Sequence, residues 1–273
     1  MIAISHTEAL SRIEEALHAA RAIFARFTPG KVQTEYKAGH DPVTEADRQV
    51  DAALRKCLLR PGEGWLSEES VDDPIRLENR WVWIVDPLDG TREFVDGIPE
   101  WCCSIGLVHD GKPFAGGICN PATQETVVGT VESGVLFNGK PARPSSRTQL
   151  TGAVVLASRS EVQRGEWDQF QGRGFEVRST GSVAYKLGCV AAGLADATWT
   201  LTPKHEWDVA AGVALIESAG GFTGTLDQSA LLFNNRRPKL TGLLAGGAGL
   251  KQEIIALTAA AEKPAPRKPQ GVR

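Results

Sequence analysis

Along the first sixty residues the apolar positions keep helical spacing. Ala9, Ile13, Ala16, Leu17, Ala20 and Ile23 return every three or four places with Arg and Glu between them, which predicts an amphipathic helix over residues 5–27. A second helix is expected to begin near Thr44, whose hydroxyl can cap its first turn, and to run through Ala46, Val50, Ala53, Leu54 and Cys57 up to Pro61-Gly62. The period then changes. Residues 81–85 form a compact β-prone run expected to stop at Asp86-Pro87. Residues 104–108, 113–119 and 125–130 alternate with period two and predict an antiparallel meander, its strands separated by Asp110-Gly111 and Asn120-Pro121, with a further hairpin turn at Asn138-Gly139.

Residues 141–146 read as a joint. Beyond it the pattern predicts a strand at 154–157, a small-residue helix over 182–193, a strand at 197–200, a helix over 209–218 and a strand near 240–245. Strands alternating with helices indicate a layered α/β build of two halves, 1–146 and 147–262, followed by a flexible Pro- and Lys-containing tail at 263–273.

Composition narrows the function classes. With 273 residues, 42% hydrophobic and 23% charged, the chain can build a sizeable core. A net charge of -3 offers no general attraction to a nucleic-acid polymer, and no basic stripe is interleaved with aromatics. Five cysteines, odd in number and without a CxxC pair, argue against a disulfide framework or a structural zinc site. The N-terminal residues lack a basic segment followed by an apolar one, and no run approaches the roughly 18–20 apolar residues of a spanning helix. A cytoplasmic protein with no membrane partner is expected.

The chemistry lies in the acids. Asp86-Pro87-Leu88-Asp89-Gly90-Thr91 places two carboxylates on a stiff turn at the end of a buried strand, a platform suited to Mg²⁺, which takes oxygen ligands in near-octahedral geometry. The Leu88 carbonyl can add a ligand, and the unhindered Gly90 and Thr91 amides can receive a phosphate. Each acid also has a plainer reading. Asp89 can simply cap a turn, Glu68-Glu69 can be a solvated pair, and Asp208, at the head of an apolar helical run, can be an N-cap.

Taken together, four segments in this order decide between these readings. Asp41-Pro42-Val43-Thr44-Glu45-Ala46-Asp47, Ser67-Glu68-Glu69-Ser70, Asp86-Pro87-Leu88-Asp89-Gly90-Thr91 and Trp207-Asp208-Val209-Ala210-Ala211-Gly212 resemble the signature segments of the inositol monophosphatase superfamily, over nearly the whole chain. The resemblance implies an αβαβα sandwich and a lithium-sensitive phosphatase with two or three Mg²⁺ ions held by Glu68, Asp86, the Leu88 carbonyl, Asp89 and Asp208. It implies phosphate contacts from the Gly90 and Thr91 amides. Asp47 and Thr91, with Glu68 beside them, form the implied catalytic group that orients and deprotonates a water. Asp208 then arrives from the second half, so the site lies in the crevice between halves.

Substrate choice rests on departures. Where inositol monophosphatases carry a glutamate several residues before Trp-Asp, this chain has Thr200, Leu201 and Thr202, followed by Lys204 and His205. Asp86 onward, read as Asp-Pro-Leu-Asp-Gly-Thr-Arg-Glu-Phe, together with Ser158-Arg159-Ser160 and Gly181-Ser182, looks like the 3′(2′),5′-bisphosphate nucleotidase branch. A second substrate phosphate would use cations, and Arg159, Lys186, Lys204 and His205 are candidates. Their plain readings are a solvated arginine, a lysine snorkelling from a small-residue helix, and a satisfied turn histidine. Hydrolysis of 3′-phosphoadenosine 5′-phosphate to AMP is therefore the expected activity, with inositol-1-phosphatase and histidinol-phosphatase as alternatives and a non-catalytic metal-binding regulator disfavoured. The apolar hairpin at Val135, Leu136 and Phe137 is a candidate homodimer contact. His40 and His109 lack ligand-like spacing. Trp81, Trp83, Trp101 and Trp199 read as core, and Trp65 and Trp207 as buttresses for neighbouring acids.

Overall fold

The computed structural model of the chain describes residues 3–36 and 42–262, so Asp41 of the first signature segment, His40 and the Pro-containing tail lie outside the described residues. In chain order the elements are α1 (His6–Phe24), β1 (Thr34–Tyr36), β2 (Pro42–Thr44), α2 (Glu45–Leu58), β3 (Gly64–Ser67), β4 (Trp81–Asp89), α3 (Thr91–Asp96), β5 (Cys102–His109), β6 (Lys112–Asn120), β7 (Glu125–Thr130), β8 (Gly134–Phe137) and β9 (Lys140–Ala142). They continue with β10 (Val154–Ser158), α4 (Arg159–Gln163), β11 (Glu176–Thr180), α5 (Val183–Ala191), β12 (Ala197–Thr200), β13 (Lys204–His205), α6 (Glu206–Ser218), β14 (Phe222–Gly224), β15 (Lys239–Leu240), β16 (Leu243–Gly246) and α7 (Lys251–Ala259).

Local chemistry sets the helix starts. Ser5 caps α1 by accepting from the Glu8 amide at 3.1 Å, and the buried stripe Ala9, Ile13, Ala16, Leu17, Ala20 and Phe24 faces inward. Thr44 caps α2 in a reciprocal box, its hydroxyl receiving the Ala46 amide while the Asp47 carboxylate accepts the Thr44 amide at 2.7 Å.

Strands β3 to β9 form a seven-stranded sheet in chain order, β3 and β4 parallel and the remainder an antiparallel meander. Alternation along β4 sorts its side chains. Trp81, Trp83 and Val85 lie in the core beneath α1 and α2, while Val82 and Ile84 join the core formed with α5 and α6. A second sheet, ordered β11-β10-β12-β16-β14, covers α5 on its far side. Its outer face buries Trp167, Phe170, Trp199, Leu250 and Ile254, with α7 against β16. The layers run helix, sheet, helix, sheet, helix, which is the αβαβα order expected.

Helix α6 belongs to the second half of the chain but packs on β4, β5 and β6 of the first sheet. Two glycines permit the approach: a Cβ on Gly106 would fall 2.9 Å from Ala210 Cβ and the Ala211 amide, and one on Gly116 would fall 2.5 Å from the Ala211 carbonyl. The helix carrying Asp208 is thereby brought down onto the strand carrying Asp86.

Several expectations change. Strand β4 does not stop at Asp86-Pro87: pairing with β5 skips from Asp86↔Ser104 to Asp89↔Cys102, three steps against two, so the strand continues through a bulge where proline has no amide to offer the ladder. Asp208 is not the N-cap of α6. His205 holds that position, and Asp208, at N3, accepts the His205 amide at 2.9 Å. The single strand expected at 240–245 is two, β15 pairing with β13 and β16 lying in the second sheet. In the 135–137 hairpin, Val135 is buried and Phe137 partly buried against one core, and Leu136 is partly buried against the other. All five cysteines are free thiols. His109 stacks on Trp81 with ring centroids 4.0 Å apart. No helix among the described residues is long and apolar enough to cross a membrane.

Candidate metal and phosphate site

The site forms where the ends of β3 and β4 meet the starts of α5 and α6. Parallel pairing sets Ser67 opposite Val85, so Glu68, just past the end of β3, lies beside Asp86 within β4. Asp208 arrives on the first turn of α6. Ligand oxygens of Glu68, Asp86 and Asp208 all lie within 4.8 Å of one another. Asp86 is 2% exposed; its Oδ1 accepts the Leu88 amide at 3.0 Å, whereas its Oδ2 is buried with no hydrogen-bond partner.

An orphaned anionic oxygen inside a ring of acids is costly unless a cation meets it. Burial, and then the charges of Glu68, Asp89, Asp208 and Asp47, push the Asp86 carboxyl well above the ordinary carboxylate range. Asp208 is pushed well up by burial and then by Asp89 and Glu68. These oxygens fit a hard divalent cation, because all are oxygen donors, they converge, and one has no other partner.

Asp89 is placed differently from the trio. Its Oδ2 accepts from Ser182 Oγ at 2.6 Å and from the Ala184 amide at 2.5 Å, binding the bulge of β4 to the start of α5. Ser182 holds a positive φ of 54°, a conformation a non-glycine residue adopts at a cost of about 1–2 kcal/mol, and its hydroxyl also receives the Tyr185 amide at 2.9 Å. Burial raises the Asp89 pKa, and these two hydrogen bonds work against the rise.

Asp47 reaches the site from α2. Its Oδ2 accepts from the Thr44 hydroxyl at 2.6 Å, and its Oδ1 lies 3.2 Å from Thr91 Oγ, which is also 3.0 Å from the Leu88 carbonyl. Burial raises the Asp47 pKa despite the Thr44 bonds. Gly90 turns the chain with φ of +94°, and a Cβ there would meet the Glu100 carbonyl at 2.9 Å, so only glycine leaves this corner open. An open cleft of about 210 Å³ is lined by Glu68, Leu88, Asp89, Gly90, Thr91 and Glu93 from the first half and by Ser158, Arg159, Ser182, Lys186 and Lys204 from the second.

The cations on this wall are not free. Arg159 Nη2 is bonded to Glu100, whose Oε2 also takes the Gly181 amide at 2.6 Å, and Arg159 Nε lies 3.9 Å from Glu93. Lys186 does not snorkel. It is 4% exposed, donates to the Ser182 carbonyl at 2.7 Å and the Thr180 carbonyl at 3.4 Å, and has its pKa lowered by burial. Lys204 donates to Glu161 Oε1 at 2.9 Å. His205 stacks on Trp207 with centroids 4.4 Å apart.

Sequence reasoning missed Glu161, Glu93, Glu100 and Asp51. Glu161 Oε1 also accepts from Thr200 and Thr202 at 2.6 and 2.8 Å, and its Oε2 from Trp167 Nε1 at 3.2 Å. Thr200 and Thr202 are thus occupied by an acid of α4. Nothing in the spacing of these residues announces the contact, which is made 39 to 43 positions apart.

Carboxylates converging on the buried Asp86 beside an open cleft suit a metal-dependent hydrolase of phosphoric monoesters. The inositol monophosphatase family model matches residues 6–262. An inositol-1-monophosphatase of Mesorhizobium japonicum is 35% identical over 239 residues, covering 82% of this chain and 87% of that protein. Among solved structures, the extragenic suppressor protein SuhB of Bartonella henselae superposes with a TM-score of 0.78 at 29% identity, covering 92% of this chain and 98% of that one. An inositol monophosphatase from Anabaena gives a TM-score of 0.78 at 26% identity, with 94% and 97% covered. The chain belongs to the inositol monophosphatase family.

Proposed function

We propose that the chain hydrolyses a phosphate monoester with Mg²⁺, held by Glu68, Asp86, Asp208, Asp89 and the Leu88 carbonyl, and that its substrate is a 3′(2′),5′-bisphosphate nucleotide. The observation that carries the metal assignment is the partnerless buried Asp86 Oδ2 within the Glu68, Asp86 and Asp208 cluster. Two or three ions fit the number of ligand oxygens assigned. When bound, Mg²⁺ supplies charge neutralisation for the phosphoryl group and a water of lowered pKa.

The chain's own groups do the rest. The Gly90 and Thr91 amides bind and orient the phosphate, which needs positioning more than covalent chemistry. The Thr91 hydroxyl donates to Asp47 Oδ1, which turns its lone pairs toward the cleft to receive an O–H of the attacking water. Asp47 is the proton acceptor, reached through Thr91, and its raised pKa suits that task. Asp208, arriving from residues 147–262, closes the site against residues 1–146.

The nucleotide reading is supported by the cleft wall. Residues 200–202 carry no acid to hold an inositol hydroxyl, and Lys186, Lys204 and Arg159 are among the cations that line the cleft a second phosphate would enter. Inositol 1-phosphate is the second reading, favoured by the names that the similar proteins carry. Phosphate release from 3′-phosphoadenosine 5′-phosphate, inositol 1-phosphate and histidinol phosphate, each with Mg²⁺ and with EDTA, tests both levels. A higher kcat/KM on inositol 1-phosphate rejects the nucleotide assignment, and equal turnover in EDTA rejects the metal assignment.

A further inference from the structure

Asp51 lies one helical turn beyond Asp47 on the same face of α2. It is 9% exposed, and it is met by hydroxyls: its Oδ1 accepts from Ser67 Oγ and its Oδ2 from Ser70 Oγ, both at 2.5 Å. These two serines bracket Glu68 and Glu69. An ionised carboxylate accepts and cannot donate, so each serine must turn its proton to Asp51 and keep its lone pairs for other donors. Those donors are present. Ser67 Oγ receives the Glu69 amide at 3.2 Å and Ser70 Oγ receives Trp65 Nε1 at 3.4 Å. The result is a closed set of hydrogen bonds around the turn that leaves β3, fixed at both ends to one side chain of α2.

We propose that Asp51 is a positioning residue for the metal ligand Glu68, holding the Ser67-to-Ser70 turn so that the Glu68 carboxylate stays within reach of Asp86 and Asp208. This rests on the metal-site reading above. A buried carboxylate satisfied only through hydroxyls is a costly way to fasten a surface turn, and the expense is explained if the turn must hold a ligand oxygen to within a fraction of an ångström. One helix then serves the site twice, with Asp47 directed at Thr91 and, a turn later, Asp51 directed at the base of Glu68.

The test is Mg²⁺ binding by titration calorimetry on the full chain without substrate, together with the melting temperature in EDTA. Asp51→Ala is expected to weaken Mg²⁺ binding about tenfold or more, the usual size of an outer-shell effect. Asp51→Asn can still bridge both serines, accepting with its oxygen and donating with its nitrogen, and is expected to stay within about threefold of the wild type. Equal losses in both variants would mean that the negative charge, not the clamp, is at work, and that result overturns the proposal. A lowered melting temperature with unchanged Mg²⁺ affinity overturns it too, by making Asp51 a purely structural residue. Where Asp51→Ala does not fold, the Ser67→Ala/Ser70→Ala double variant removes the same clamp and is read the same way. Glu68→Gln separates the two claims. Weakened binding there with none in the Asp51 or serine variants sinks only this inference, whereas no weakening in either sinks the metal site with it.

Discussion

Asp86 in β4 and Glu161 in α4 are both buried carboxylates whose neighbours line one cleft, yet their titration moves in opposite directions. Burial raises both. At Asp86 the neighbours are four more acids, so the proton is held more tightly still. At Glu161 the charge of Lys204 and hydrogen bonds from Thr200, Lys204 and Thr202 outweigh burial and bring the pKa down to about 2. The difference is one of provision: Glu161 receives its cation from the chain itself, and the acid cluster must take one from solution. The first arrangement is an internally matched ion pair, and the second is the candidate metal site.

Four experiments bear on this contrast. Asp86→Asn has the largest expected effect, a loss of about 1,000-fold in kcat/KM, or about 4 kcal/mol of transition-state stabilisation. The same variant should melt higher than the wild type in EDTA, because it removes an unmet buried charge. Near-normal turnover would rule Asp86 out as a ligand.

Glu161→Gln should act in the opposite sense on stability. The folded pKa of Glu161 lies below its ordinary value of 4.5, so its contribution is present above that pH and is lost as pH falls toward about 2. Urea titrations are expected to show the variant less stable by on the order of 2–3 kcal/mol at pH 7, with the gap closing across that acid window. A constant gap from pH 7 to pH 2 would show that packing, not charge, is what Glu161 provides.

Thr91→Ala sharpens the catalytic half of the comparison. Without the hydroxyl between water and Asp47, kcat should fall by about 10- to 100-fold while KM changes by less than about threefold. A change confined to KM would make Thr91 a phosphate-binding residue only.

The smallest effect concerns the stripped protein. Asp86, Asp208, Asp89 and Asp47 all have folded pKa values above the ordinary 3.8, so what they contribute to stability is present below that value and declines as pH rises through the raised values. In EDTA the chain should lose stability as pH rises above the ordinary carboxylate range. Saturating Mg²⁺ should abolish that slope, and persistence of the slope would argue that the ion does not enter the cluster.

Much of the framework was legible because periodicity reports burial. Helices α1, α2, α5 and α6 and the meander β5 to β7 all announce themselves through apolar residues at periods of 3.6 or 2, and the Asn138-Gly139 turn through its backbone chemistry. The short strand β3 carried no such signal, since all four of its residues are buried and none alternates. Strands β11 and β14 and helix α7 were likewise not anticipated. The acids Asp47, Glu68, Asp86, Asp89 and Asp208 were found through the four signature segments. The contacts around them, from Ser182 to Asp89 and from Asp51 to the serines flanking Glu68, were not, because a serine or aspartate that matters by what it touches looks the same in sequence as one that does not.

By itself, the sequence determined the kind of chemistry: a stiff Asp-Pro-Leu-Asp-Gly-Thr turn after a buried strand, an acid on each of three further segments, and no cysteine or basic pattern pointing elsewhere. Tertiary structure alone decided which oxygens converge, that Asp89 is held by the second half, and that Lys204 is already matched by Glu161. The reason is physical. Ligand identity is a property of residue type and spacing, whereas the charge a group carries and the partner it lacks depend on distances of a few ångströms between segments that the chain brings together only when its two sheets close around α5 and α6.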